Sequence, residues 1–212
     1  MNMLRTASVV FLVFALIHEI CSHGMMLKPP NRGSLWRFNY STPINYDDNQ
    51  NFCGGASIQW NVFGGKCGPC GDRYDSPHPQ DNENGGKYGR GVIAAEYTVG
   101  SVIDVNVLLT ANHLGYFKYS LCVLKDPSAP ERDESCFVPL GLADGTVKYG
   151  VSADERSINN QVKLPNKITC ERCVLRWHYT AGNNWGICAN GTSGMGCGAQ
   201  ETFRSCTDIR IV

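Results

Sequence analysis

The chain has 212 residues, with 19 Lys and Arg against 19 Asp and Glu, and is formally neutral at pH 7. Neutrality argues against nucleic acid as a partner, because phosphate backbones are bound by clustered cations that displace counterions. An uncharged partner such as a neutral polysaccharide suits such a surface, and the length suffices for one domain with a real core.

Residues 1–22 carry the pattern of a secretory signal: Arg5, an apolar run from Ala7 to Ile17, then Cys21 and Ser22. The run is shorter than the about 20 apolar residues that a bilayer-spanning helix needs. No second apolar span follows, so no membrane segment is expected. Cleavage after Ser22 makes His23 the first residue of a secreted domain covering residues 23–212. Of the 11 cysteines, Cys21 leaves with the signal. Cys53, Cys67, Cys70, Cys122, Cys136, Cys170, Cys173, Cys188, Cys197 and Cys206 remain, an even set that implies a disulfide framework whose pairing sequence does not fix. The sequons Asn39-Tyr40-Ser41 and Asn190-Gly191-Thr192 fit a secreted, glycosylated surface.

From Pro29 to Gly91 the chain is rich in Gly, Pro, Asn and Asp, with scattered aromatics and few aliphatics. Disulfides are expected to hold this long loop region, and loops of such length inside a compact domain are usually functional. Alternation begins in the stretch 101–110, with Ile103, Val105, Val107 and Leu109 on one face and Asp104 and Asn106 on the other. Further strands are predicted over 116–124, 137–140, 146–151, 161–164, 173–179 and 201–211. Short strands between turn-rich loops predict an all-β fold, an antiparallel β-sandwich with long disulfide-stapled loops. There are no repeats and no linker to a second module.

Four histidines lie beyond the signal: His23, His78, His113 and His178. An N-terminal His23 offers an α-amine and an imidazole on one short tether, the makings of a copper chelate. His113 follows the alternating strand in Thr110-Ala111-Asn112-His113-Leu114-Gly115, where a rigid sheet can hold a side chain at the surface. One amine and two imidazoles would make a three-nitrogen site with open positions. The spacing of His23 and His113 does not itself show that they meet.

The start His23-Gly24, the run Pro29-Pro30-Asn31-Arg32-Gly33-Ser34-Leu35-Trp36-Arg37, and Asn51-Phe52-Cys53-Gly54-Gly55 resemble the arthropod-type lytic polysaccharide monooxygenases of auxiliary-activity family fifteen. So do Ala111-x-His113, Gly182-Asn183-Asn184-Trp185-Gly186-x-Cys188 and Gln200-Glu201-Thr202-Phe203-Arg204-x-Cys206-x-Asp208-Ile209. The resemblance implies a fibronectin- or immunoglobulin-like sandwich whose flat face carries one copper ion in a histidine brace. That brace is the amine and imidazole of His23 with the imidazole of His113. Phe203 matches the axial position, tyrosine in many relatives, and cannot ligate copper. Ala111 matches the small residue near the open axial side. Glu201, two residues before Phe203, is placed on the same strand face, where its carboxylate can position O2 or H2O2 and pass protons. The implied reaction oxidatively cleaves β-1,4 glycosidic bonds in crystalline chitin, and in some members cellulose, by a monomeric enzyme supplied with an external electron donor.

Other readings stand beside this one. Cys67-Gly68-Pro69-Cys70 is a dithiol motif, though a poor helix follows it, and with Cys170-Glu171-Arg172-Cys173 it could form a four-cysteine zinc site. A non-catalytic sandwich that binds chitin or carries copper would show the same two histidines.

Overall fold

The computed structural model describes residues 23–131 and 133–212, so the expected signal over residues 1–22 lies outside the described residues. The alternating stretch forms β3 (Val102–Ala111), with Ile103, Val105, Val107 and Leu109 buried while Val102 and Asp104 face solvent. β3 is flanked by β1 (His23–Lys28) and β7 (Ser157–Lys163), both antiparallel to it. The second sheet runs β2 (Ile93–Tyr97), β11 (Thr202–Ile211), β8 (Cys170–Thr180), β4 (Tyr116–Val123), β5 (Val138–Leu140), with β6 (Tyr149–Gly150) also on β4. A separate hairpin pairs β9 (Trp185–Ile187) with β10 (Ser193–Met195). Phe117, Trp177, Tyr179 and Phe203 of the large sheet share one buried cluster with Met26, Val105, Val107 and Leu109 of the small one. Each fully buried large apolar side chain contributes about 1.5–3 kcal/mol, and the two-layer sandwich follows from joining these apolar faces.

Three features depart from the sequence reading. β1 carries no alternation because Met25 and Met26 are both buried: the strand lies under the loop region as well as on the core. Gly24 N–H donates to Asn49 O (3.1 Å), and Asn31 N–H to Met26 O (2.9 Å). β2 runs parallel to β11, in a sheet expected to be wholly antiparallel; the intervening chain supplies the crossover that parallel strands need. β8 is buried on both faces, since Val174 joins Cys70, Cys122, Phe137 and Cys206 in a second cluster outside the large sheet.

The loop region holds one seven-residue 3-10 helix, Arg32–Phe38, and a five-residue π-helical turn, Ile58–Val62. Asn31 starts the former by accepting Gly33 N–H (2.9 Å). Disulfides staple the region as expected: Cys53–Cys67 within it and Cys70–Cys206 to β11. The remaining pairs are Cys122–Cys136, Cys170–Cys173 and Cys188–Cys197. Cys67 and Cys70 have separate partners, which removes the dithiol reading, and no cysteine of the two motifs is free for zinc. The five bonds fit an extracellular protein. Among the described residues no helix is long and apolar enough to cross a membrane.

Arg32, fully buried, ties three segments together. Its Nε and Nη2 donate to Asp208 (2.8 and 2.7 Å), its Nη2 to Glu131 (2.7 Å) and its Nη1 to Asn82 O (2.9 Å). Both carboxylates are as buried as the guanidinium. Arg32→Leu leaves two buried carboxylates without their cation and is expected to lower stability by about 3–5 kcal/mol in denaturant unfolding. An unchanged unfolding midpoint would show that this cluster does not hold the loops to the sheet.

Candidate metal centre

The first residue of β1, His23, lies opposite Ala111 across the β1–β3 ladder. The register shifts between His23 and Gly24, because Gly24 faces Leu109 and leaves Thr110 as an extra residue on β3. Such a bulge re-aims the chain at the end of a ladder. Thr110 fills it: its hydroxyl donates to His23 O (3.4 Å) and accepts from Asn49 Nδ2 (2.9 Å).

His113 sits two residues further on, in the turn between β3 and β4. Asn112 builds this turn by accepting Leu114 N–H (2.8 Å) and donating from Nδ2 to the carbonyls of Ser152 (2.8 Å) and Glu155 (2.6 Å). Leu114 and Gly115 take left-handed φ of 58° and 86°. A Cβ on Gly115 would lie 2.0 Å from Thr180 O, so only glycine fits. His113 N–H donates to the Tyr179 hydroxyl (3.1 Å), and His113 O accepts Gly182 N–H (2.8 Å). The backbone that carries the imidazole is thus anchored on both sides.

The imidazole is oriented by Asn183, whose amide lies 2.7 Å from His113 Nδ1. Asn183 Oδ1 otherwise has no hydrogen-bond partner, although it is buried. Turning that oxygen toward the ring lets it accept Nδ1–H, since amide orientation is assigned from the network. The proton then resides on Nδ1, and the Nε2 lone pair is left for a metal. Burial, and secondly the neighbouring His23, lower the His113 pKa, which favours the neutral imidazole that ligates.

Phe203 is fully buried below this pair. Its ring centroid lies 6.4 Å from that of His23, 5.8 Å from Tyr179 in a stacked pair, and 6.2 Å from Phe52. Ala111, partly exposed, faces His23. Glu201 immediately precedes β11; it is buried rather than solvated, and its carbonyl accepts Ala181 N–H (3.0 Å). The other two histidines go elsewhere. His178 is half-buried near Arg204 and Arg176, and desolvation foremost, then these cations, hold its pKa well below the ordinary value. His78 Nδ1 lies 2.8 Å from Glu83.

Among the described residues no three His, Cys, Asp or Glu side chains gather into a metal site. The side-chain donors are two imidazoles, with neither thiolate nor carboxylate between them, and a nitrogen-only set suits copper. Asn183, Tyr179, Asn112 and Asn49 position the pair, and no ligand spacing singled them out. The only signal was that Asn183 lies within a motif of the family resemblance. Beyond Asn183 the β9–β10 hairpin, closed by Cys188–Cys197, presents Trp185, Ile187 and Met195 at 69%, 71% and 60% exposure. Trp185 pairs with Met195, and Ile187 follows two residues on, so the three share one face.

The family model described as lytic polysaccharide mono-oxygenase, cellulose-degrading, matches residues 23–209. A lytic polysaccharide monooxygenase of family AA15 from Thermobia domestica, solved in the Cu(I) state, is 44% identical. That match covers 89% of this chain and 98% of the other, with a TM-score of 0.86. A chitin binding domain from Burkholderia pseudomallei is 12% identical over 91% of this chain and 100% of its own, with a TM-score of 0.48. No curated protein matches significantly. With nearly the whole described chain matched by the family model, and a 44% identical AA15 structure superposing on the same sandwich, this chain belongs to the lytic polysaccharide monooxygenases, copper-dependent oxidoreductases.

Proposed function

We propose that this is a secreted enzyme that oxidatively cleaves β-1,4 bonds in crystalline chitin, with cellulose as the second substrate to test. The single observation that supports this reading is the pairing of His23 with Ala111, two residues before His113, with His23 near enough to lower the His113 pKa. On this reading the signal ends at Ser22, and the freed amine of His23 joins both imidazoles around one copper ion. Copper held there supplies the redox chemistry that activates O2 or H2O2, with an external donor providing electrons.

The protein's own groups then have separable tasks. Asn183 fixes the tautomer and direction of His113. Phe203, buried against the His23 ring, would face copper held there with a ring that cannot ligate it, and Ala111, opposite His23, would leave the surface beside it uncrowded. Glu201, buried close in sequence to Phe203, holds or delivers a proton at its carboxylate. The exposed apolar face of the β9–β10 hairpin extends the surface beside His113 and receives a flat polysaccharide face. A patch of large apolar side chains this exposed commonly marks an interaction site. Chains hydrogen-bonded into a crystal cannot enter a deep cleft, and this arrangement asks for none.

Incubation with copper, ascorbate and chitin or cellulose is expected to release oxidised oligosaccharides visible by mass spectrometry. Their absence on both substrates would leave a non-catalytic polysaccharide-binding or copper-carrying protein. In calorimetry, His113→Ala and a secreted chain that retains Ser22 are each expected to lose tight copper binding; unchanged affinity in either rejects the brace. Trp185→Ala is expected to lower adsorption to crystalline chitin about tenfold at unaltered copper affinity, since single anchor residues carry about 1–2 kcal/mol or more of such interfaces. Equal adsorption of the variant assigns the docking surface elsewhere.

A further inference from the structure

The outer face of the large sheet carries a second feature. Phe203 faces the core and the histidines, and successive strand residues point to opposite faces; Arg204 therefore points away. It forms part of the wall of a cleft of about 970 Å³, built by the loop region and the segment around Glu134. Nothing in the chemistry at His23 and His113 uses it. Clefts of this size that combine aromatic walls with a few convergent polar groups are the usual form of a small-molecule site.

Two aromatic side chains, Trp60 and Tyr74, line it while staying 38% and 41% exposed. Both are held rigidly. Trp60 Nε1–H donates to Gln200 O (2.8 Å), and Gly65, at φ 89°, packs so closely on the indole that a Cβ there would lie 2.7 Å from it. Tyr74 rests 5.6 Å from the Phe63 ring, with Lys66 Nζ 5.2 Å from its own. Asp75, His78, Gln80 and Glu134 also line the cleft.

Most ions of the cleft are already engaged: Lys66 lies over the Tyr74 ring, and Asp133 accepts Ser135 N–H and Oγ–H (2.7 and 2.5 Å). Asp75 pairs with Arg73 (2.5 Å), His78 with Glu83 (2.8 Å), and Glu134 with Arg176 (2.9 Å) and Arg204. Burial outweighs Glu134 and brings Arg204 down to about 10, still charged at neutral pH. Apart from Lys66, held over the Tyr74 ring, a charged ligand would have to break one of these contacts, and an anion would also face Asp75, Asp133 and Glu134. An uncharged ligand with apolar C–H faces for the rings and hydroxyls for the planar polar groups needs no such exchange.

We propose that this cleft binds a short soluble oligosaccharide of neutral, equatorially linked sugars, separately from the surface that carries the two histidines. The site needs no metal, so the test uses the full secreted protein freed of copper, with chitohexaose, cellohexaose and inorganic phosphate as probes. Calorimetry is expected to show one saturable site for a hexaose and none for phosphate. In NMR titration the Trp60 indole N–H signal shifts with the same affinity. Trp60→Ala and Tyr74→Ala each weaken binding at least tenfold, Trp60→Phe retains part of it, and His113→Ala leaves it unchanged. The melting temperatures of the variants identify any that fail to fold, and Tyr74→Ala, which keeps the Trp60 anchor, serves if Trp60→Ala does. Binding of phosphate alone, no hexaose binding, hexaose affinity indifferent to both folded aromatic variants, or its loss in His113→Ala overturns the proposal. Because the experiment reads binding without copper, its failure leaves the proposed oxidation standing, and failure of the oxidation leaves this site standing.

Discussion

His23 meets the turn that bears His113 only because β1 pairs with β3 in one register. A slip of one residue would send every β1 side chain to the opposite face, carrying the imidazole into the loops and Met26 out of the core. The register is fixed from three directions. Met25 and Met26 are buried, the bulge at Thr110 takes up the odd residue, and Asn49 binds both Gly24 N–H and the Thr110 hydroxyl. Precision at His23 is thus supplied by a loop with no regular structure at Asn49.

Stability and positioning are shared by the same residues. Phe117, Trp177, Tyr179 and Phe203 form a contiguous aromatic series inside the sandwich, with centroid separations from 5.1 to 5.9 Å. Tyr179 also accepts the backbone N–H of His113, and Phe203 sits beneath His23. Substitution in this series therefore acts on core packing and on imidazole placement together. The loop region is joined to the sheet differently, by buried Arg32 and by Cys70–Cys206, both of which end on β11. A buried ion pair is weak evidence for stability in itself, whereas removing one partner is severe; here Arg32 is better understood as fixing where the loops sit.

Sequence made the half-buried strands legible because alternation records a sheet with one dry face. β3 appears as predicted, and so do β4 and most of β8. β1 left no such record, since loops cover its second face, and β2 has no fully buried residue to mark a dry face. His23 and His113 were visible through the logic of an N-terminal chelate and through family likeness, but their proximity is a property of pairing across β1 and β3. Asn183 and Asn112 were illegible for a related reason. Each acts through a single side-chain amide in an irregular turn, and asparagine in a turn is commonplace.

β11 lies between β2 and β8 in the large sheet, although it is the last of the strands in chain order. During synthesis β8 and β4 can pair early as antiparallel neighbours, but β2 has nothing to dock against until β11 is added. Arg32 waits for Asp208, and Cys70 for Cys206, over the same interval. Contacts this distant along the chain make folding slow. Cys70 likewise meets its partner only across a sequence separation of 136 residues. The last strand made is therefore the one on which the β2 edge, the Arg32 cluster and the Cys70 disulfide all depend.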